Sequence, residues 1–351
     1  ALRPVLGAAV SLFDLKAALD EAVHYRERAR RRLLDVYKRG IASQAGGDIS
    51  VVLLGRPYTV LCSDLNKGVA DIFASQGVRV FYQDMVSQKE APSSWINAML
   101  QDVPWRYAAG VLEAASAIAH QEGVYPVLVT SFRCTPDTMT LECFKRIMHE
   151  SAKPYLVIQL DGHDSKAGYE TRIEAAVRSF RNHHRLGRGP ARVRLPDILP
   201  SRSLRRPIVY IPDWDRFSCR LLAANLRREG LDARLLEHSS SSVTEGLRYN
   251  TGQCIPIHII AQEYMDTMRR HDVDPQRCAL WIPRGEIPCN LKLIPHHIKA
   301  ALQAHGHGME RAEVYHGELS MIDLSVRASF GVYFSFMFGG LASGQTRITG
   351  L

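Results

Sequence analysis

The sequence predicts an α/β protein: two Rossmann-like units, each a parallel sheet faced by helices, with a long N-terminal helix ahead of them and a cleft between them. Three observations lead there. Short apolar runs alternate with longer helical patterns over residues 51–182, the rhythm of parallel strands joined by crossover helices. The same rhythm restarts at residue 208. Between the two, residues 184–206 (HRLGRGPARVRLPDILPSRSLRR) carry glycine, proline and arginine without periodicity and read as an interdomain connection.

Residues 11–39 read as one amphipathic helix. Ser11 can cap it, Asp14 completes a capping box, and Leu12, Leu15, Leu19, Val23, Leu33, Leu34 and Tyr37 fall near helical spacing. Gly40 is expected to end it. In the first unit, strands are expected at 51–54, 78–82, 125–132 and 155–159, with helices at 66–76, 105–120, 136–150 and 169–182. In the second, strands are expected at 208–211, 233–236 and 279–282, with helices at 216–229, 256–271 and 291–306. Residues 239–242 read as a polar loop, and the apolar run 330–342 as a buried strand or helix. The boundaries follow: helix and linker 1–48, first unit 49–183, connection 184–206, second unit 207–317, C-terminal apolar segment 318–351. The chain starts without methionine and stops soon after that apolar run, so it reads as a piece of a longer polypeptide.

Apolar residues make up 46% and charged residues 23% of the 351, a composition that builds a sizeable core and excludes disorder. The net charge of +8 concentrates in arginine runs at 26–32 and 181–206. Such runs serve as solvated faces or as docking surfaces for an acidic partner or a coenzyme A phosphate. No nucleic-acid motif accompanies them. Seven cysteines, odd in number and irregular in spacing, exclude a disulfide scaffold and fit a reducing compartment, the cytoplasm. No stretch reaches the roughly 18–20 apolar residues of a membrane span, and no signal peptide opens the chain. Phosphate loops of the GxGxxG and GxxxxGKS kinds are missing, so the chain is not expected to hydrolyse ATP itself. The GxSxG elbow of a serine hydrolase is missing too.

The informative motif is a cysteine beside a proline at a helix start, and it occurs three times: Cys134 in TSFRCTPDTMT, Cys254 in YNTGQCIPIHI and Cys289 in RGEIPCNLKLI. Proline suits the first helical turn, where its missing N–H costs nothing. A sulfur just ahead of that turn faces unpaired N–H groups and the positive end of the helix dipole, which favours thiolate. Three such thiolates suggest one shared centre, with an iron–sulfur cluster ahead of zinc. A structural zinc site would need a fourth ligand such as His258, one turn after Cys254. Cys62, Cys143, Cys219 and Cys278 have no neighbouring proline and read as packing residues. GRPYT at 55–59 ends a strand, and its Arg56 could hold an anion. Asp137 reads as a dipole-compensating acid, and Asp161, His163 and Asp164 lie at a sheet's functional edge. The histidines at 183–184, 296–297, 305 and 307 read as surface or core residues.

The segments LLGRPYTVLCSDLNKGV, PWRYAAGVLEAA, VTSFRCTPD, KPYLVIQLDGHDSKAGYETRIEAA, GLRYNTGQCIP and WIPRGEIPCNLKL run in order over residues 53–293. They resemble the domain beside the activase modules of acyl-CoA dehydratase activase-related proteins. They are similar, more distantly, to 2-hydroxyacyl-CoA dehydratases, benzoyl-CoA reductases and double-cubane-cluster proteins. The resemblance implies a [4Fe–4S] cluster, alone or as part of a double cubane, on Cys134, Cys254 and Cys289, with one iron lacking a cysteine. Thr135 stands where the family has glycine, and residues 290–293 replace an Arg-Phe-Gly-Gln run. The expected function is an iron–sulfur segment that accepts or relays low-potential electrons in ATP-driven reduction. An ATP-hydrolysing activase module would be its partner, in cis or in trans. The alternatives are a catalytic acyl-CoA dehydratase or reductase subunit, and a docking or regulatory domain without a cluster. A homo-oligomer is expected, with neither nucleic acid nor membrane as partner.

Overall fold

The computed structural model describes residues 10–86, 94–131, 135–161, 166–187, 195, 198–248, 254–285 and 290–349, with backbone alone at 94, 135 and 345–349. In chain order the elements are α1 (Leu12–Ala42), β1 (Ser50–Gly55), α2 (Pro57–Val60), α3 (Ser63–Asn66), α4 (Val69–Ser75), β2 (Arg79–Tyr82), α5 (Ser94–Leu100) and α6 (Arg106–Ala119). There follow β3 (Val124–Ser131), α7 (Thr135–Glu150), β4 (Leu156–Leu160), α8 (Lys166–Arg185), β5 (Ile208–Ile211), α9 (Arg216–Arg228) and β6 (Asp232–Leu235). The chain closes with α10 (Ser241–Leu247), α11 (Ile255–Arg270), β7 (Cys278–Arg284), α12 (Ile294–His305), β8 (Glu313–Glu318) and α13 (Val326–Thr349).

The protein is α/β, with two four-stranded parallel sheets and an N-terminal helix. The first sheet has the order β2-β1-β3-β4 and the second β6-β5-β7-β8. The two orders are the same, so the α/β rhythm read twice in the sequence is a repeated topology. One compact unit comprises Ala1–Pro92, Gly110–Phe132 and Arg146–Val193; the other comprises Ser93–Ala109, Arg133–Lys145 and Arg194–Leu351.

In the first unit, β1 and β3 are buried along their whole lengths. A central parallel strand is covered on both faces, which is why it reads as a continuous apolar run. Val51, Leu53, Tyr125 and Val127 join Phe73, Tyr169 and Phe180 from the helices in one core. Gly55 closes β1 at φ +149°, and a β-carbon there would lie 2.4 Å from the Val129 carbonyl oxygen on β3. The amide of Gly55 donates to Gln83 Oε1 at 3.1 Å, fixing the turn that carries Arg56.

The expected capping box of α1 is present: the Asp14 amide donates to Ser11 Oγ at 3.1 Å, and the Ser11 amide to Asp14 Oδ2 at 2.9 Å. The helix passes through Gly40 to Ala42, and the Phe81 ring lies where a side chain on Gly40 would be, so this glycine serves close packing rather than helix termination. Of its described residues only Tyr37 is buried, against Phe81, so most of the apolar positions at helical spacing are exposed. The helix expected at 66–76 starts at Val69, since Lys67 and Gly68 both take left-handed conformations.

In the second unit, Val209, Ile211, Leu222, Leu226, Trp281, Tyr315 and Val332 form the core. Residues 239–242, read as a loop, lead into α10. The strand β8 and the helix α5 were not expected from the sequence. The run 330–342 is helical as one reading had it, but one side of α13 is exposed rather than buried.

Gly55→Ala is expected to lower stability by about 2–3 kcal/mol, because neither the backbone angle nor the β3 carbonyl accommodates a β-carbon. The urea midpoint followed by circular dichroism measures it, and an unchanged midpoint would contradict the close approach.

Candidate functional site

In open α/β sheets, ligand sites gather at the carboxyl ends of strands, where the order reverses. Those points lie between β1 and β3 in the first sheet and between β5 and β7 in the second. Cys134 follows the last residue of β3 by three positions, and Cys289 follows the last residue of β7 by five. The two cysteines therefore come after topologically equivalent strands.

Cys134 and Cys289 lie outside the described residues, as do His163 and Asp164. The helices that follow the cysteines are described. α7 begins at Thr135 with Pro136 in its first turn, and α12 begins at Ile294 with Pro295 after a 3-10 turn at Asn290–Lys292. Cys254 is the N-cap of α11, with Pro256 in the first turn; it is part-exposed and its carbonyl accepts from the Ile257 amide at 3.1 Å.

The early turns of these three helices meet inside the second unit. His297, near the start of α12, is buried and hydrogen-bonds to the main chain of Met139 in α7. His258, near the start of α11, is buried close enough for its charge to act on His297, and it feels Glu142 of α7 in turn. Burial holds His258 below the usual imidazole range, against the pull of Glu142. Burial, then the charges of His296 and His258, push His297 down to about 3, against its bond to Met139. Its Nε2 has no hydrogen-bond partner among the described residues, so a proton added there would be left unpaired.

The start of α12 is fastened by a buried carboxylate. Asp102, in the turn after α5, accepts from His296 Nε2 at 2.9 Å and from Arg202 Nη2 at 2.7 and 2.6 Å. Burial raises the Asp102 carboxyl, but the hydrogen bonds and charges of His296 and Arg202 outweigh it and hold the group at about 2. Arg202 Nη1 also donates to His316 Nδ1 at 3.0 Å, which requires that nitrogen to be bare. Burial and the Arg202 charge push His316 down to about 3. Arg202 reaches this place because Ser201 pairs with the edge of β8: its amide donates to the Val314 carbonyl at 2.9 Å, and its carbonyl accepts from the His316 amide at 2.9 Å.

The remaining expectations sort by contact. Cys143, Cys219 and Cys278 are buried, as packing residues should be; burial raises Cys219 and pushes Cys278 up to about 11. Cys62 is part-exposed, at the start of α3. His296 and His297 are core residues. Arg56 Nη1 donates to the Tyr58 hydroxyl at 2.8 Å. The amide of Asp161 donates to the Tyr169 hydroxyl at 3.1 Å. Among the described residues no group of three or more His, Cys, Asp or Glu has the arrangement to hold a metal ion. No helix among them is long and apolar enough to cross a membrane.

Residues 5–86 match the family model described as CoA enzyme activase uncharacterised domain (DUF2229). The match supports an acyl-CoA dehydratase activase-related protein. The matched segment runs from the N-terminal helix through β2, so the three cysteines fall beyond it. No curated protein and no solved structure matched the chain.

Both His297 and His316 have folded pKa values below their unfolded value near 6.5. The unfolded chain therefore binds more protons between pH 6.5 and 3, and the stability of the second unit is full above pH 6.5 and falls as pH drops. At pH 5 the loss is expected to be about 2 kcal/mol for each histidine. All four tryptophans, at 95, 105, 214 and 281, belong to this unit, so their fluorescence reports on it. His297→Gln should flatten the dependence of the denaturation midpoint on pH; an equally steep profile would contradict the assignment.

Proposed function

We propose that this activase-related chain is an iron–sulfur segment that accepts or relays low-potential electrons in ATP-driven reduction linked to acyl-CoA dehydratase or reductase chemistry. Cys134, Cys254 and Cys289 are the ligands in this reading. An activase module supplies the ATP hydrolysis, in cis or in trans, and the reducing cytoplasm is the setting.

The observation that supports it most is that helices α7, α11 and α12, each starting within five residues of one of the three cysteines, bring their early turns together around His297. The donor set also suits the group. Thiolates are soft ligands that select iron–sulfur centres. Cys254 stands at the N-cap of α11, where the first backbone N–H groups of the helix have no intrahelical partners. A bound [4Fe–4S] cluster would supply one-electron transfer at low potential. The residues around it would contribute fixed helix-start dipoles and the imidazole of His297, which burial favours in its neutral form.

Anaerobic reconstitution with iron and sulfide should give a brown protein with about four irons per chain. The combined substitution Cys134→Ala, Cys254→Ala and Cys289→Ala should abolish that uptake while leaving the circular dichroism unchanged. Equal iron content and an equal spectrum in the triple variant would refute the ligand set. A spectrum perturbed by acyl-CoA would move the reading to the catalytic alternative.

A further inference from the structure

Among the described residues nothing covers the exposed side of α13, and its pattern identifies what would. The inner side is fixed to α9. Asn225 Nδ2 donates to the Gly331 carbonyl at 3.2 Å and to Ser335 Oγ at 2.8 Å, and Ser343 Oγ donates to Asp215 Oδ2 at 2.7 Å. Gly339 lies against Ser218 so closely that a β-carbon would meet its main chain. Gly331, Ser335, Gly339 and Ser343 meet α9, Val332 and Phe336 meet the core, and six large residues are turned out. Phe330, Tyr333, Phe334, Met337, Phe338 and Leu341 are each between 43% and 65% exposed. The rings of Tyr333 and Phe334 are 5.7 Å apart and those of Phe334 and Phe338 are 5.9 Å apart, a continuous aromatic ladder.

We propose that this ladder is a homodimer interface, in which α13 packs antiparallel on α13 of a second copy about a two-fold axis. The six residues fall in three pairs symmetric about the midpoint between Ser335 and Phe336: Phe330 with Leu341, Tyr333 with Phe338, and Phe334 with Met337. An antiparallel two-fold thus sets every member of the stripe against another member, the self-complementarity that an isologous contact requires. The Phe334–Met337 pairing adds sulfur–aromatic contact. Residues 328–346 contain no charged side chain, so nothing on this side selects an acidic or basic partner, and two copies meet without like-charge repulsion. At roughly 200 Å² for each large side chain, the exposed fractions amount to about 700 Å² per copy. A standard stable interface takes about 800 Å² from each partner, so the stripe is nearly the whole of one.

Multi-angle light scattering or sedimentation velocity on the chain at roughly 100 μM, where a Kd of ~10 μM still leaves mostly dimer, should give twice the chain mass. Phe334→Glu combined with Phe338→Glu should weaken association by about 100-fold or more without changing the circular dichroism. Phe13→Glu, at a still more exposed apolar residue of α1, should leave the mass unchanged. A monomer at that concentration, or a dimer indifferent to the two glutamates, would overturn the proposal. The measurement needs no metal, so its outcome is independent of the iron–sulfur reading.

Discussion

The Asp102 carboxylate is the constraint around which the second unit is arranged. A carboxylate this deeply buried needs charge and hydrogen bonds from its neighbours, because desolvating it alone costs several kcal/mol. Arg202 and His296 supply both. Their positions in turn decide much else. His296 fixes the rotation of the first turn of α12, and its neighbour His297 is thereby presented to Met139 and His258. Arg202 can reach Asp102 only with its segment laid along β8, and this defines the outer edge of the sheet. One buried negative charge therefore couples a turn, a connecting segment, a helix start and an edge strand. Breaking such a pair from one side leaves the other members charged or unpaired, which makes the arrangement specific more than it makes it stable.

Repetition of one strand order in both sheets gives the cysteine pattern a topological meaning. A parallel sheet with order 2-1-3-4 has a single place where the connections diverge, beside its third strand. Loops there are free of the crossovers that cover the rest of the edge, so they can carry unusual residues. The chain has placed Cys134 after one third strand and Cys289 after the other. Cys254 has no such strand ahead of it and depends on the helix start alone. Two of the cysteines are thus set by their order after equivalent strands, and the third by its place at a helix start.

The sequence revealed elements wherever local chemistry decides them. The cap of α1, the Pro-led starts of α7 and α11, and the strand at residues 208–211 all stand where spacing and turn residues put them. It was silent where partners are distant. Asp102, Arg202 and His316 are joined across 100 and 114 residues, and nothing in the neighbourhood of any one of them announces the others. β8 escaped because EVYHGE has only two apolar residues; its Glu313 and His316 are made tolerable by Arg206 and Arg202. The spacing in α1 and the apolar run in α13 report only that apolar residues are there, not what covers them.

The neutral histidines bear on what kind of field the three helix starts can offer. An imidazolium at His297 would add a full positive charge beside α7 and α11, and that charge would come and go with pH. Burial and the neighbouring histidines prevent it above about pH 3. His297 itself then adds no charge, and the backbone N–H groups at the helix starts keep a field of roughly half a positive charge each that is independent of pH. An anionic group near those starts would therefore meet a constant attraction through the physiological range. Had the same positions held lysine or a solvated histidine, the attraction would be larger at low pH but would vary with every change in protonation.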